Sequence, residues 1–269
     1  MKIVVKVGGS LLKTGIPEGL MDDIRTLSAS NQIALVHGGG DVVTELATKL
    51  GKEQRFVISP DGIRSRYTDR ETAEIYTMVM SGLLAKRLVL ALQSRGVPAV
   101  SVSGLDGRIF LGKRKKKLLV VDERGRKVLI DGGFTGRVDS VNTGLTSLLM
   151  SNGYIPVVSP VASSEENEPL NIDGDRAASS LASAIAADAV VFLTNVGGLL
   201  LRGALVPTIG ADEAAAKLPE IGFGMQRKVM AAVDATRAGV KEAIICAGSG
   251  SSPVSNGLSH VGCTVICGT

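Results

Sequence analysis

Lys6 interrupts an otherwise apolar run, KIVVKV, and is followed at once by Gly8, Gly9 and Ser10. A lysine placed there is costly to desolvate unless an anion meets it. Glycines at the carboxyl end of a parallel strand let backbone N–H groups close on a phosphate. The same pair of glycines also suits a plain tight turn. A second run, QIALVH, ends in His37 and is followed by Gly38, Gly39 and Gly40 ahead of a helical stretch. Successive glycines at a helix N-terminus make an anion-accepting turn, and two such turns at one edge of one sheet are more specific than either alone. His37 could serve as a base, although a histidine beside a glycine turn more simply fixes the loop through hydrogen bonds.

Three further clusters carry chemistry. Gly62-Ile63-Arg64-Ser65-Arg66-Tyr67-Thr68-Asp69 leads into a long helical stretch. An arginine in that place can clamp a carboxylate bidentately or stay a solvated loop charge, while Thr68 or Asp69 suits the helix N-cap. Asn171-Ile172-Asp173-Gly174-Asp175-Arg176 opens a helix of small residues, where Asn171 can hold a carboxylate and Asp175, in the first turn, can orient cationic side chains. The alternation of Asp173 and Asp175 also suggests a calcium loop, but the glycine and distal Glu spacing of an EF-hand is missing. Gly224-Met225-Gln226-Arg227-Lys228 begins another helix, on which Lys228 is either solvated or reaches over the sheet edge toward a phosphate.

Positioning these residues requires strands that end together. Short Val- and Ile-rich runs recur as KIVVKV, QIALVH, PAVSVS, YIPVVSP, DAVVFLT and EAIICA, apolar on both faces as a parallel sheet covered by helices requires. Helical spacing at about residues 17–29, 40–50, 69–95, 139–152, 174–187 and 224–239 alternates with them. This predicts an α/β fold, a three-layer αβα sandwich around a mainly parallel open sheet. From Gly107 to Gly136 the rhythm breaks: RIFLG, KRKKK, LLVVDERGRKVLI and DGGFTG read as strands joined by a charged tip and a turn at Asp122 to Gly125. An antiparallel basic hairpin leaving the main sheet is expected there. One domain, 1–269, is expected, subdivided near residue 160 into halves that share the sheet.

Composition excludes other classes. With 45% hydrophobic and 21% charged residues over 269 positions, general disorder is ruled out. Aromatic residues are only 3% and Trp is absent, which undersupplies the stacking platforms of single-strand nucleic-acid binders. No run reaches the roughly 18 apolar residues of a membrane span, and MKIVVKVGGS lacks the length and cleavage site of a signal peptide. A soluble, cytoplasmic protein that binds neither membrane nor nucleic acid is expected. Cys246, Cys263 and Cys267 are odd in number, without paired zinc spacing, and are expected to be inert thiols.

In their order, KVGGS, HGGG, SRYTD, NIDGDRAA and GMQRK resemble the amino acid kinase family, in its acetylglutamate-kinase-like branch, over essentially the whole chain. SGLDGRIFLGKRKKK, GGFTGRV and ENEPLNIDGD are more similar to those members that phosphorylate the side-chain carboxyl of aminoadipate or glutamate carried on the amino-group carrier protein LysW. The resemblance implies an acceptor-substrate lobe with a dimer interface at roughly 1–160 and an ATP-binding lobe at 161–269. It implies ATP-dependent formation of an acyl phosphate in lysine or arginine biosynthesis, or both. It further implies that Lys6 and Lys228 stabilise the transferring phosphoryl group, that Asp175 holds these lysines, and that Gly8, Gly9 and Ser10 cover the ATP phosphates. Gly38 and Gly39 would meet the attacked carboxylate, and Arg66 and Asn171 the free α-carboxylate side of the substrate. A carboxylate nucleophile is already ionised near neutrality, so no general base is needed. Mg2+ would be held mainly by the ATP phosphates and water, so no metal site built from side chains is expected.

Departures and charge sharpen this. Phe223 stands where acetylglutamate kinases often have a second glycine, and Asp41 where proline is common, which counts against a free acetylated substrate. The chain starts at its first strand, without a helix resembling the hexamer-forming arm of arginine-inhibited members, so a homodimer without that feedback is expected. The net charge is only +4, yet Lys113 to Lys127 holds eight Lys or Arg and two Asp or Glu, a local +6 that leaves −2 for the remainder. The run Lys113, Arg114, Lys115, Lys116, Lys117 is expected either to steer a small acidic carrier or to be a solvated charged hairpin. The competing functions are a kinase of free N-acetylglutamate, a non-catalytic amino-acid sensor of the same fold, and a nucleic-acid binder using the hairpin. The joint presence of Lys6, Asp175 and Lys228 weighs against the sensor.

Overall fold

The computed structural model describes residues 1–13 and 15–268. Numbered in chain order, its central sheet runs β16 (Thr208–Gly210), β18 (Cys263–Cys267), β17 (Glu242–Ala247), β13 (Ala189–Thr194), β1 (Lys2–Val7), β2 (Gln32–His37), β10 (Ile155–Ser159), β5 (Ala99–Ser103). Neighbours are parallel throughout except β17 and β18, which are antiparallel. The chain leaves β1 toward β2 and returns on its other flank as β13. A reversal of strand order at β1 puts the ligand crevice outside the carboxyl ends of β1, β2 and β13.

The two-residue period of a strand sorts the core. Ile3, Val5 and Val7 pack with Leu20, Met21 and Ile24 of α2 (Glu18–Ser28), with Leu88 and Leu92 of α5 (Ala85–Gln93), and with Val254 of α10 (Pro253–Leu258). Val4 packs on the opposite face with Ala177 and Leu181 of α7 (Gly174–Ala184) and Val229 and Ala232 of α9 (Phe223–Arg237). Residues of α6 (Gly144–Ser151) and α8 (Ala211–Ala216) complete that layer. Helices on both faces make the expected three-layer sandwich. Each fully buried Val, Leu or Ile contributes about 1.5–3 kcal/mol, which binds the helical layers to the sheet.

Two short elements carry the glycine turns, α1 (Gly9–Leu12) and α3 (Gly40–Lys49). The expected long helix is continuous but not uniform: α4 (Arg70–Thr77) passes through a π-helical stretch, Met78–Leu84, into α5. Asp69 caps it, accepting the Thr72 N–H at 2.8 Å. By length and composition Arg70–Gln93 would suit a membrane span, contrary to the expectation of none, but half of its apolar window is buried within the protein. Wide turns of this kind favour functional sites; here Met80 and Leu84 crowd Gly39, where an added Cβ would lie 2.1 Å from Leu84 Cδ1.

Two sequence expectations are corrected. The helix expected at 139–152 begins at Gly144, because residues Gly136–Val141 form β9 and ladder with β6 (Phe110–Arg114). Asn142 makes the break, its side chain accepting the Gly144 N–H and donating to Gly107 O. The expected antiparallel basic hairpin is present as β7 (Lys117–Val121) and β8 (Lys127–Asp131), which join β3 (Phe56–Ile58) and β4 (Arg64–Arg66), but the stretch 107–136 also feeds a second sheet, in which β6 and β9 join β11 (Val161–Ser163) and β12 (Pro169–Asn171). The turn at Asp122 to Gly125 closes β7 and β8 as expected, with Asp122 Oδ1 accepting the N–H groups of Arg124 and Arg126 at 2.9 and 2.8 Å. The lysine run joins the two strands on either side of it, as expected, but as a crossing between sheets and not as a hairpin tip. Lys113 and Arg114 end β6, Lys115 and Lys116 cross between the sheets, and Lys117 opens β7. Gly132 permits the crossing, since a Cβ there would lie 1.5 Å from Lys115 O. A small hairpin, β14 (Leu200–Leu201) and β15 (Ala204–Leu205), completes the chain's strands among the described residues.

Candidate active site

Lys6 follows Val4 by two positions, so the same alternation that buries Val4 under α7 aims Lys6 at the start of that helix. There Asp173 caps α7, accepting the N–H groups of Asp175 and Arg176 at 2.9 and 3.0 Å, and Asp175 occupies the first turn. Lys6 Nζ lies 2.7 Å from Asp175 Oδ1, and Lys228 Nζ, from α9, lies 3.2 Å from Oδ2. Burial alone would push the Asp175 carboxyl up, but Lys6 and Lys228 outweigh it and hold the group below the usual aspartate range. One carboxylate thus fixes two ammonium groups, leaving a net positive charge at the carboxyl end of β1.

The two glycine turns pack backbone to backbone. A Cβ on Gly9 would lie 2.7 Å from Gly39 N, and one on Gly38 would lie 2.7 Å from Gly9 N. The Gly8 N–H donates to Leu193 O at 3.1 Å and the Gly38 N–H to Val7 O at 2.8 Å, each extending a strand ladder. The expectation that all four glycines offer their N–H groups to ligand is therefore corrected for Gly8 and Gly38, whose N–H groups are engaged. Gly9 and Gly39 stand at the starts of α1 and α3, where helix geometry leaves N–H groups without partners. Ser10 is exposed on α1 beside them. His37 is fully buried, with Nδ1 3.1 Å from Gly38 O and Nε2 3.0 Å from Ser159 Oγ. Burial, with a smaller push from Lys6 and partly opposed by Gly38, lowers its pKa to about 4. It is a neutral loop anchor, as its neighbours in the sequence suggested.

Arg66 is buried, and its guanidinium donates to Gly40 O at 2.7 Å, to Thr44 Oγ1 at 2.9 Å and to Gln54 Oε1. Asn171 Nδ2 donates to Thr68 Oγ1 at 2.9 Å, and Thr68 Oγ1 approaches Arg66 O, so one short polar chain connects the two expected carboxylate binders. Arg64, by contrast, stacks over the Phe56 ring at 3.7 Å.

A cavity of about 870 Å³ unites these groups, lined by Lys6, Gly8, Gly9, Ser10, Gly38, Gly39, Arg66, Asn171, Asp175 and Lys228. Its wall includes eight Lys or Arg against four Asp, so the cavity suits a polyanion. Of the basic run only Lys115 reaches it. Lys113 pairs with Asp139 at 2.8 Å, and Arg114 with Glu168 at 3.2 Å while lying over the Phe134 ring, as Arg70 also does. Lys116 and Lys117 are exposed, with no salt-bridge partner among the described residues. Arg227, for which a solvated face sufficed in the sequence, reaches Asp173 Oδ2 at 3.6 Å and donates to Arg64 O. Arg137, Arg176 and Thr135 also line the cavity; they stand within motifs noted in the sequence, GGFTGRV and the cluster ending at Arg176, but nothing in those motifs assigned them a role. Cys246 and Cys263 are buried under α10 away from the cavity, and burial pushes the Cys246 thiol up to about 12.

Comparison with known proteins gives a consistent picture. Residues 1–247 match the Amino acid kinase family. A putative LysW-aminoadipate/LysW-glutamate kinase of Cenarchaeum symbiosum is 49% identical over 264 residues, 98% of each chain. The LysW-aminoadipate/LysW-glutamate kinase of Metallosphaera sedula is 44% identical over 252 residues, covering 93% of this chain and 94% of that one. Among solved structures, N-acetylglutamate synthase from Neisseria gonorrhoeae superposes with a TM-score of 0.80 at 24% identity, over 99% of this chain and 59% of the synthase. Carbamate kinase from Giardia lamblia bound to AMP-PNP superposes with a TM-score of 0.71 at 18% identity, over 100% and 98%. Both share the fold.

Proposed function

The chain belongs to the amino acid kinase family, and on that premise we propose that it transfers the γ-phosphoryl group of ATP to the side-chain carboxylate of aminoadipate or glutamate borne through its amino group on the carrier protein LysW. Kinases named for that reaction are 41–49% identical over nearly the full length. The observation that carries the reading is the pair of lysines held on one buried aspartate, Lys6 and Lys228 on Asp175, in a cavity edged by two glycine turns.

A carboxylate oxygen of the acceptor attacks the γ-phosphorus, the bond from that phosphorus to the β,γ-bridging oxygen breaks, and ADP leaves with the bridging oxygen. No proton has to be removed from the nucleophile, so the enzyme's work is positioning and charge stabilisation. Lys6 and Lys228 neutralise charge on the transferring group as it becomes metaphosphate-like. Asp175 keeps both ammonium groups from relaxing toward water. Gly9, Gly39 and Ser10 supply donors to the phosphates and the attacked carboxylate. Arg66 and Asn171 meet the α-carboxylate, which stays free because the amino group carries the linkage; Arg66 exchanges part of its present contacts with Gly40, Thr44 and Gln54 for it. Asp175 already lies between two lysines and does not fit as a ligand for Mg2+. The ion fits instead as part of the nucleotide, on phosphate oxygens and water.

The product serves lysine biosynthesis and, with glutamate, arginine biosynthesis, in the cytoplasm. A homodimer is the working assembly, with residues 1–160 as acceptor lobe and 161–269 as ATP lobe. Exposed Lys116 and Lys117, beside Lys113, Arg114 and Lys115, steer the acidic carrier. The deciding experiment measures ADP release, and acyl phosphate trapped as a hydroxamate, with both carrier conjugates and with free N-acetylglutamate. Turnover confined to the conjugates supports the proposal; equal turnover of free N-acetylglutamate transfers it to that substrate, and no ADP with any of them ends it. Carrier binding that survives reversal of Lys115 to Lys117 would sink the docking role.

A further inference from the structure

Two Lys or Arg side chains are buried among the described residues, Lys6 and Arg66. Lys6 has a carboxylate at 2.7 Å; Arg66 has none. Its guanidinium donates to Gly40 O at 2.7 Å, to Thr44 Oγ1 at 2.9 Å and to Gln54 Oε1. Its Cζ lies 5.0 Å from the centre of the Phe56 ring, which Arg64 also covers. Neutral oxygens and an aromatic face thus hold a buried cation, and no carboxylate forms an ion pair with it among the described residues. Asp41, exposed on the cavity wall, makes itself felt there only through its charge. Burial without an anion disfavours the charged form, and it pushes the guanidinium below its usual value, with Tyr76 and Asp41 opposing and Arg64 adding.

The chain builds this clamp from local geometry. Arg66 stands opposite Phe56 in the β3–β4 ladder, which brings guanidinium and ring together. Thr44 lies one helical turn beyond Gly40 and donates to Gly40 O at 3.0 Å, so the two oxygens sit side by side for Arg66. Gly40 also begins α3, and a Cβ there would lie only 3.8 Å from Arg66 Nη2. A guanidinium beside the positive end of a helix is a poor arrangement until an anion joins it.

Gln54 supplies a second, independent sign. Its oxygen faces Arg66, but its Nε2 is buried without any hydrogen-bond partner. A carboxylate in its place would have no stranded donor and would bind the guanidinium more strongly. The amide is the less stable choice, and what it preserves is the charge of Arg66.

We propose that Gln54 and Thr44 are positioning residues that hold Arg66 through neutral oxygens alone, so that its charge remains available to the α-carboxylate of the acceptor. The inference rests on the reading above, in which Arg66 meets that carboxylate. Neither Gln54 nor Thr44 lines the cavity among the described residues, so both act through Arg66. Neutral acceptors bond a guanidinium about half as strongly as a carboxylate does. An incoming carboxylate therefore displaces them, whereas a resident one would compete for the same N–H groups and cancel the charge.

The test compares Gln54→Glu, Thr44→Asp and Gln54→Met on carrier conjugates whose α-carboxylate is either free or amidated, and records thermal midpoints. Gln54→Glu and Thr44→Asp should each raise the KM for the free-carboxylate conjugate about tenfold, the range of a charged hydrogen bond. The KM for ATP and kcat should move little. The midpoint should rise by about 2–4 °C, because the buried guanidinium gains a partner. Gln54→Met, of similar length but without an acceptor, should raise the same KM about threefold and lower the midpoint. Amidation should penalise the wild type far more than either charged variant, in which the charge it removes a partner from is already neutralised. A plain packing role would instead lower the midpoint in all three variants. An unchanged acceptor KM in Gln54→Glu and Thr44→Asp, or an amidation penalty as large as that of the wild type, overturns the proposal. If the wild type turns over no conjugate at all, the kinase reading fails while the midpoints still decide this one. Opposite shifts in Gln54→Glu and Gln54→Met support the uncompensated clamp, and a fall in both overturns it.

Discussion

The ammonium of Lys6, in the first strand, lies 2.7 Å from the carboxylate of Asp175 in the first turn of α7, and both side chains are nearly excluded from solvent. A buried pair of this kind adds little net stability, because desolvation offsets the attraction. Its product is a cation held still where charge develops, with Lys228 held by the other oxygen of the same carboxylate.

Lys6→Ala and Lys228→Ala should each lower kcat by about 10²–10³-fold while the KM for ATP changes little, since the charge they meet grows in the transition state. Steady-state kinetics in ATP separates the two parameters. Loss of ATP affinity with turnover intact would refute the role.

Stability should fall on acidification between pH 6.5 and about 4 through His37. Its folded pKa of about 4 lies below the ordinary 6.5, so in that window the unfolded chain binds the extra proton and unfolding is favoured as pH drops. The loss at the acid end is about 3 kcal/mol. Asp175 acts in a different range: its depressed pKa contributes stability above the ordinary aspartate value, lost only as pH falls through the folded one. Urea midpoints at pH 4.5 and 7 for wild type and His37→Gln should differ in wild type and converge in the variant.

Arg227 joins α9 to Asp173 and to the Arg64 carbonyl in β4, the strand that carries Arg66. Arg227→Gln should raise the acceptor KM about fivefold, the scale of a half-exposed ion pair. The ratio of ADP released to acyl phosphate trapped should rise as water reaches the cavity, and Arg227→Lys should restore the KM only in part. Unaltered KM and coupling would return Arg227 to a surface role.

Gly38→Ala should damage the site without touching a ligand. Its Cβ would lie 2.7 Å from Gly9 N and 3.1 Å from Gly9 Cα, and backbone cannot yield as a side chain can, so a stability loss of about 1–3 kcal/mol is expected. Activity should drop far more than in Ser10→Ala, where one neutral hydrogen bond is worth about fivefold. Thermal midpoints and kcat for the two variants check the contrast.

How much of this was legible follows from the range of each interaction. The parallel sheet could be read from runs such as DAVVFLT, because burial on both faces leaves a local mark. The cap at Asp69 is equally local. The helix start at Gly144 is not legible locally, because the Asn142 side chain is anchored on Gly107, a partner that no local window contains. The lysine run is exposed between two strands, as a charge-rich segment reads, but the sequence does not show that these strands belong to different sheets, because the close approach of Lys115 to Gly132 is a contact from a distant part of the chain.

By itself the sequence determined which residues are available to the reaction, since a lysine inside KIVVKV and two glycine turns after strands are chemical commitments independent of the remaining fold. Tertiary structure alone decided how they are used. It matched Lys6 and Lys228 to one carboxylate, closed the N–H groups of Gly8 and Gly38 into ladders with Leu193 and Val7, and divided the basic run into paired, outward and cavity-facing cations. The physical reason is that hydrogen-bond saturation and charge pairing depend on which distant groups arrive within about 3 Å, and that is a property of packing, not of spacing along the chain.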